Sequence, residues 1–426
     1  LYMNPPGIIF LSTPASYLAS VLHSSSAFLF YIQTYILAAL LYFYTYRNLK
    51  VPAPARPVIL ITLALLLFVT PGYEFGQREY YVFILVLPYL LQHLSHISHE
   101  EVPRTHLLLS GTLLGLAIII KPHYVLLPTL LELLLWVNYR QKLFRLDLIL
   151  ALALNIIHII VICLLFPEYF EIVAIALLSY GSYHQVVPTD IVVPLLIAFI
   201  AVILVSLKKV ISKGIKPTTM LFFATGTIFL IIGIVQNKGW FNHFYPASVT
   251  FILTIVIVLT DLIIQYSKSP RRSLVFFTSS LCILITLFLY SALSIEKSLR
   301  LSDYYQNDPG FNQTVEFINT NGANEMISLY SLNMNPHYLL IHNSNKTTGS
   351  RFNAFWMLPE TVIQRSATEN EVKQIESFAL DAAINDLKKN KPGLLLFDNA
   401  KNAKINNRSF DFVSFFSKRD EFREIL

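Results

Sequence analysis

Charged and polar side chains collect in a few short segments that interrupt long apolar runs of this sequence. Glu74, Arg78 and Glu79 fall within one such segment, YEFGQRE at 73–79. A guanidinium binds a phosphate or a carboxylate through paired hydrogen bonds, so the segment could hold a pyrophosphate-like group. A simple ion pair at a helix end explains the same residues equally well. The sequence leaves both interpretations open.

Two lysines stand in a similar setting. Lys121 lies between two apolar runs in LAIIIKPHYVLLP, and Lys238 lies in NKGWFNHFYP. An ammonium near the middle of a bilayer costs about 2.5–3.5 kcal/mol, so each lysine needs either water or an anionic partner. Each could extend to the membrane surface, or it could bind a phosphate held there. We predict that Arg78, Lys121 and Lys238 bind phosphate.

Other polar side chains accompany these basic residues. A carboxylate that accepts a proton can act as a general base, which makes Glu79 and Glu74 the candidate catalytic residues. The predicted lining of the pocket is Gln77, His123, Trp240, His243 and Tyr245. The same histidines and aromatic rings also fit an ordinary membrane interface. These segments contain no metal-ligand spacing and no phosphate-binding glycine loop, so we predict neither a metal nor a nucleotide cofactor.

The apolar runs that carry these segments indicate a polytopic membrane protein. Of the 426 residues, 54% are hydrophobic and only 14% are charged, which excludes soluble, disordered and disulfide-scaffold classes. A membrane-spanning helix needs roughly 17–25 mostly apolar residues. Ten predicted spans meet this need, at about 26–46, 57–73, 80–96, 106–120, 123–138, 146–166, 188–207, 217–236, 244–264 and 273–293. Segment 5–22 contains Pro5, Pro6 and Pro14 and predicts a broken or interfacial helix.

The basic residues predict how these spans are oriented. The net charge of +6 belongs entirely to residues 1–296, because residues 297–426 contain 15 basic and 15 acidic side chains. Alternate loops carry 14 Lys and Arg against three in the other set, Arg78, Lys121 and Lys238. Since basic residues stay on the cytoplasmic side, these three, Asn4 and the C-terminal region are predicted outside. The charge thus indicates topology and not nucleic-acid binding.

Two domains are expected. Residues 1–296 form the transmembrane domain, and residues 297–426 form a small soluble α/β domain on the extracytoplasmic side. Within the latter, Met326–Tyr330 and Leu394–Asp398 predict short buried strands. The segment from Ser366 to Lys391 predicts an amphipathic helix, with acidic residues in its first turn and lysines before Pro392.

Several segments resemble the type-C glycosyltransferases, specifically the bacterial protein-mannosyltransferase and aminoarabinose-transferase-like group (glycosyltransferase family 39-like). The resemblance extends over most of the chain, and the segments that carry it are NPPG at 4–7, FGQRE at 75–79 with LPYLL at 87–91, KPHY at 121–124, KGWFNHFYPA at 238–247, SRFNAFWMLPE at 350–360 and KPGLLLFDN at 391–399. The resemblance implies a multi-pass enzyme of the bacterial inner membrane. It would move a sugar from a polyprenyl-phosphate donor to an acceptor glycan, lipid or protein on the outer face.

One departure from that group concerns the base. Its members usually carry an acidic residue in the first outer loop, whereas residues 1–73 contain no Asp or Glu. We expect the base to precede Leu1, since a missing part would also supply a first helix. Alternatively, Glu74 or Glu79 has taken over its function, or the protein is inactive. The rival functions are a transporter or flippase of lipid-linked saccharides, which inverted repeats would favour, and a noncatalytic binding subunit.

Overall fold

The computed structural model describes residues 6–98, 100–140, 142, 144–183, 216–236, 240–266, 307–322, 326–332, 334–398, 404–405 and 408–425. They divide into two compact units. The helical unit contains the described residues of 6–161 and 216–266, and the α/β unit contains those of 162–183 and 307–425. Asn4, Lys238 and the predicted spans 188–207 and 273–293 lie outside the described residues.

The described part of the chain up to residue 266 is helical. In chain order its helices are α1 (Pro6–Leu22), α2 (Ser26–Asn48), α3 (Arg56–Phe68), α4 (Arg78–Ile97), α5 (Arg104–Ile120), α6 (Leu126–Tyr139), α7 (Leu146–Leu165), α8 (Glu168–Ser179), α9 (Lys216–Gln236) and α10 (Phe241–Tyr266). Short 3-10 helices cover Gly72–Glu74, Pro122–Val125 and Tyr180–Tyr183. All but α8, the end of α7 and the 3-10 helix Tyr180–Tyr183 belong to the helical unit.

Several of these helices indicate a membrane protein. Five are long and apolar enough to cross a membrane, namely Ser26–Asn48, Arg78–Ile97, Leu146–Leu165, Pro217–Gln236 and Phe241–Leu262. Helix α4 lies in the interior, because 83% of its apolar stretch is buried. The corresponding buried share is 17% in α2 and 11% in α7. Because α2 and α7 leave most of their apolar side chains uncovered, a bilayer is the environment that suits them.

Proline positions explain where the helices differ from the predicted spans. Spans 57–73, 106–120 and 123–138 correspond to helices of 13, 17 and 14 residues. Pro122 keeps Lys121 in an extended conformation, so α6 starts only after the 3-10 turn. Segment 5–22 forms one continuous helix, α1, with Pro6 at its first position and Pro14 inside it. The predicted break is therefore wrong, because the first turn tolerates proline and one missing donor does not end the helix.

The α/β unit contains a small parallel sheet. After α11 (Pro309–Asn321) follow β1 (Met326–Tyr330), α12 (Met334–Asn343), β2 (Thr347–Thr348), α13 (Leu358–Ile363), α14 (Glu369–Asn390), β3 (Leu394–Phe397), β4 (Lys404–Ile405), β5 (Arg408–Ser409), α15 (Phe412–Phe416) and α16 (Asp420–Ile425). The sheet order is β2-β1-β3, and β1 pairs in parallel with both neighbours. In the pairing with β3, Ile327 aligns with Leu394 and Tyr330 with Phe397. The two predicted strands are confirmed, although β3 ends at Phe397 and is half-buried rather than buried.

Helix α14 shows the start and stop signals expected from its sequence. The Thr368 side chain accepts a hydrogen bond from the Glu371 amide, and the Glu371 carboxylate accepts one from the Thr368 amide, which completes a capping box. Lys391 ends the helix in the left-handed conformation, with φ of 43°, before Pro392. The predicted amphipathic helix is confirmed, with Ser366 and Ala367 preceding its cap.

Helix α8 belongs to the α/β unit, although it lies within the stretch 1–296 that we assigned to the transmembrane domain. Ile172, Ile175 and Ala176 are buried in the core that α13 and α14 also build. One face of α8 therefore packs in this core, while Phe170 and Leu177 are exposed. The boundary proposed at residues 296–297 lies outside the described residues.

His337 of α12 makes the stability of the α/β unit depend on pH. Its side chain is buried, and this burial lowers its pKa below the ordinary value of 6.5. The unfolded chain therefore binds a proton more readily than the folded chain as the pH falls through 6.5, so acid destabilises the fold. We expect His337→Gln to reduce the drop in unfolding temperature between pH 7.5 and 5.5.

Differential scanning fluorimetry of the full chain in nanodiscs measures this drop. His342→Gln is the matched control, because His342 lies on the same helix with an exposed side chain. An equal drop in the wild type and in His337→Gln would contradict the prediction.

Candidate functional site

A buried polar cluster joins the start of α4, the end of α5 and the start of α10. We define the Glu79 cluster as Gln77, Arg78, Glu79, Lys121, Asn242 and His243. All six residues belong to the helical unit. Glu79, Lys121 and His243 are each at most 4% exposed, so the centre of the cluster is buried, whereas Gln77, Arg78 and Asn242 are half-buried.

The turn before α4 positions Gln77 and Glu79. Gly72 and Gly76 take left-handed conformations, with φ of 48° and 78°, which favour glycine. A Cβ at Gly76 would also lie 3.2 Å from the Phe30 ring. Gln77 is the N-cap residue of α4, but its side chain makes no capping hydrogen bond to the helix. The side-chain amide of Gln77 is therefore available to other partners. Glu79 in the first turn is stabilised by the helix dipole.

Lys121 is positioned by the proline that follows it. Its backbone amide donates to the Ala117 carbonyl and ends α5, and its own conformation is extended, with φ of −147° and ψ of 91°. A cation at the carboxyl end of a helix is favourable. The Lys121 ammonium also lies 5.8 Å from the centre of the Tyr124 ring, within the range of a cation–π contact.

Glu79 lies at the centre of the cluster and contacts Lys121, Asn242 and His243. The Lys121 ammonium donates to Glu79 Oε1 in a buried ion pair. Asn242 Nδ2 lies 3.3 Å from the same oxygen and donates to Gln77 Oε1 at 3.1 Å. His243 Nε2 lies 3.4 Å from Glu79 Oε1. The contacts of Glu79 with Lys121, Asn242 and His243 all use Glu79 Oε1. Glu79 Oε2 is buried with no hydrogen-bond partner among the described residues.

The charges of the cluster favour an anionic ligand. The Arg78 guanidinium lies close enough to interact with the charges of both Glu79 and Lys121. One carboxylate therefore stands beside two cations, and an imidazole follows at His243. Guanidinium and ammonium groups bind phosphate through charge-assisted hydrogen bonds, so Arg78 and Lys121 are candidates to bind an anionic ligand. The carboxylate is itself a candidate proton acceptor.

Half of the ten predicted site residues meet in this cluster. The structure brings together Gln77, Arg78, Glu79, Lys121 and His243. Trp240, 38% exposed, contacts His243 edge to face with 5.6 Å between ring centres. Among the described residues, no three His, Cys, Asp or Glu side chains lie together as potential metal ligands.

Four predicted residues remain, namely Glu74, His123, Tyr245 and Lys238. Glu74 ends the 3-10 helix, where its carbonyl accepts a hydrogen bond from the Gln77 amide. His123 is half-buried beside Tyr124. Tyr245 is buried against Tyr80, and its hydroxyl donates to the Leu66 carbonyl at 2.8 Å, so it packs α10 onto α3 and α4. Lys238 stays a prediction, since it lies outside the described residues.

Asn242 is the cluster residue that we did not predict. A single asparagine beside His243 carries no periodic or motif signal, because its role depends on a partner 165 positions away, Gln77. Its position in the sequence, between Trp240 and Tyr245 in a segment already singled out, was the one available indication.

A second buried polar network lies further along α4. Arg145 donates to Glu132 through both terminal nitrogens, at 2.8 and 2.6 Å, and Tyr89 donates to the same carboxylate at 2.6 Å. His93 Nε2 lies 3.1 Å from Glu132 Oε1, and Arg145 also contacts Asp147 at 3.1 Å. We call these five residues the Glu132 network. His93 follows Glu79 by 14 positions, or about 21 Å along the helix axis.

Relationships to known proteins do not add to this picture. No protein-family model, curated protein or solved structure matches this chain. The proposal for its function therefore depends on the chemistry of the Glu79 cluster and on the segments that carry it.

Proposed function

We propose that this chain is a membrane glycosyltransferase that moves a sugar from a polyprenyl-phosphate donor to an acceptor on the extracytoplasmic face. The observation that carries the proposal is the buried Glu79–Lys121 pair, with Arg78 and His243 beside it. A proton acceptor and two cations in one enclosed cluster are the groups that transfer from a lipid phosphate requires.

The reaction assigns a role to each group. The acceptor hydroxyl attacks the anomeric carbon and forms the new glycosidic bond, while the bond from that carbon to the phosphate oxygen breaks. Glu79 accepts the hydroxyl proton, and polyprenyl phosphate leaves with the bonding electrons. Arg78 and Lys121, with Lys238 as a third candidate, stabilise the negative charge that grows on the departing phosphate.

Donor binding would change the partner of Lys121. The Lys121 ammonium is bonded to Glu79, which holds the carboxylate in its charged form. A donor phosphate at Arg78 and Lys121 would compete for that ammonium and release Glu79 to act as the base. In this scheme Gln77 and Asn242 keep the carboxylate oriented while its partner changes, and Trp240 and His123 border the site.

The proposed topology supplies the location of the reaction. Ten spans in the orientation given by the basic loops would place Arg78, Lys121 and Lys238 at the outer membrane boundary. The polyprenyl chain would stay in the bilayer between helices, and its phosphate would lie at that boundary. Together with the resemblance to the bacterial type-C enzymes, this favours the inner membrane of a bacterium and an extracytoplasmic α/β unit.

Release of polyprenyl phosphate tests the proposal. The purified full chain in nanodiscs is incubated with undecaprenyl phosphate linked to mannose, glucose, arabinose or aminoarabinose, together with total envelope glycolipid as the acceptor. We expect at least one donor to yield free undecaprenyl phosphate and a glycosylated acceptor. Stable donors throughout, with a folded protein, would contradict the proposal.

The Glu132 network favours a transporter of lipid-linked saccharides as the second candidate. A buried carboxylate that contacts both an arginine and a histidine is the kind of group that proton-coupled transporters use. Proteoliposomes separate the two functions, because a flippase moves the intact donor across the bilayer whereas a transferase breaks the sugar–phosphate bond. Movement of the intact donor without bond cleavage would favour the transporter.

A further inference from the structure

The α/β unit contains a cavity at the carboxyl ends of the neighbouring strands β1 and β3. Its volume is about 530 Å³, within the range of small-molecule sites. Ser331 follows β1, Asp398 follows β3, and both line the cavity. Helix α11 contributes Gln313, Thr314 and Phe317 to the opposite wall. All the residues that line it belong to the α/β unit.

The topology of the sheet makes this position a favourable one for a ligand. From β1 the chain passes through α12 to β2 on one side, and from β2 it returns through α13 and α14 to β3 on the other. The connections therefore run to opposite sides of β1. In open parallel sheets, ligands bind outside the carboxyl ends of the strands at such a switch point. The cavity lies between the ends of β1 and β3.

The polar groups of the cavity are suited to hydroxyl groups. Ser331 Oγ donates to Asp398 Oδ2 at 3.0 Å, and the Asp398 amide donates to the Tyr330 carbonyl at 2.9 Å. These two bonds hold the carboxylate in place, and a carboxylate accepts more than one hydrogen bond. The Gln313 side chain can both donate and accept, and the Thr314 hydroxyl, which donates to the Gly310 carbonyl at 2.8 Å, can still accept a hydrogen bond.

The same groups argue against an anionic ligand. Asp398 is the acidic group among the described lining residues, and none of those residues is basic. The amino end of α11 is also occupied, because Asp308 accepts hydrogen bonds from the Gly310 and Phe311 amides. A phosphate or carboxylate would therefore meet negative charge with no cation to offset it.

Aromatic rings complete the cavity. Phe317 is 49% exposed although it lies on a helix whose other side packs in the small core around Ile318, and Phe397 is half-buried at the end of β3. Leu329, Leu340 and Leu396 form the remaining apolar wall. A ligand that suits this lining has several hydroxyl groups and an apolar carbon face, which is the character of a pyranose sugar.

We infer that the α/β unit binds a saccharide in this cavity, through hydrogen bonds to Asp398, Gln313 and Thr314 and through contact with Phe317. The binding itself is independent of the proposed transfer reaction. That the bound saccharide is the acceptor glycan of that reaction rests on the proposed function.

Saturation-transfer NMR of the full chain in nanodiscs tests the inference without a sugar-based detergent to compete. The probes are the methyl glycosides of mannose, glucose, galactose and N-acetylglucosamine, with the corresponding disaccharides. We expect at least one probe to bind, and Asp398→Asn to weaken its binding about tenfold or more, as the loss of a hydrogen bond to a charged group predicts. Phe317→Ala should also weaken it and leave the fold intact, because half of the Phe317 side chain is exposed.

Two control variants complete the experiment. Asp381→Asn removes an exposed carboxylate of α14, and Val413→Ala trims an exposed apolar side chain of α15. Both should bind the probe like the wild type. The inference is overturned if no probe binds, or if Asp398→Asn and Phe317→Ala bind as the wild type does. Binding without donor cleavage would support the inference and contradict the proposed function. Donor cleavage without saccharide binding would contradict the inference and support the proposed function.

Discussion

Replacing Glu79 with glutamine and Lys121 with methionine in one chain should restore most of the stability that either change removes alone, and should restore no sugar transfer. Each single variant leaves a buried group without its partner, which costs about 3–5 kcal/mol of unfolding free energy. The pair is suited to this test because both side chains are at most 4% exposed. The double variant removes both charges, so neither is left unpaired.

Activity should follow a different pattern from stability. A glutamine amide cannot accept the acceptor proton, so we expect Glu79→Gln to lower turnover about one hundred- to ten-thousandfold. Lys121→Met should lower turnover as well, because the departing phosphate loses a positive charge. The double variant should therefore be stable and inactive.

Paired measurements on the same preparations check this prediction. Chemical unfolding in nanodiscs reports stability, and release of undecaprenyl phosphate per folded molecule reports turnover. Transfer at the wild-type rate by the double variant would show that the pair is only structural. Unchanged turnover in Lys121→Ala would remove the phosphate role from that lysine.

Glu132→Gln should lower the unfolding free energy by about 3–5 kcal/mol and leave the turnover of each folded molecule unchanged. The carboxylate receives both terminal nitrogens of Arg145 and the hydroxyl of Tyr89, and its side chain is only 7% exposed. A neutral amide leaves the Arg145 charge buried without full compensation. The network lies about 21 Å along α4 from Glu79, too far for direct contact with the reacting groups.

An exposed ion pair provides the matched control. Lys50 and Glu100 also pair a cation with a carboxylate, but their side chains are 41% and 51% exposed. Glu100→Gln should cost less than about 1 kcal/mol, because exposed pairs contribute little. Loss of turnover in a folded Glu132→Gln protein would contradict a structural role, and loss of pH-dependent donor movement in that variant would favour the transporter.

We expect the Glu79 cluster and the Glu132 network of the helical unit to have different functions. The Glu79 cluster combines one carboxylate with the charges of Lys121 and Arg78 and with the His243 imidazole, which are the groups that the proposed transfer needs. In the Glu132 network the carboxylate already receives Arg145 and Tyr89 directly. We therefore assign the proposed reaction to the Glu79 cluster and a structural role to the Glu132 network.

Local signals in the sequence predicted the elements that depend on neighbouring residues. The capping box at Thr368 and Glu371, and the apolar strand Met326–Tyr330, are visible because their hydrogen bonds or side-chain patterns span only a few positions. The same is true of α4, whose predicted span 80–96 lies within Arg78–Ile97. The break predicted in α1 failed because a single proline removes one donor without ending a helix that its neighbours support.

The sequence by itself determined that this chain is an apolar, largely helical membrane protein with an α/β unit, and it singled out the segments that contain Glu79, Lys121 and His243. Only the tertiary structure decided that Lys121 pairs with Glu79, that α8 joins the α/β unit and that Ser331 contacts Asp398. The physical reason is distance along the chain. Helix periods and caps act within a few residues, whereas these contacts join residues 42 and 67 positions apart, whose meeting depends on how helices and strands pack.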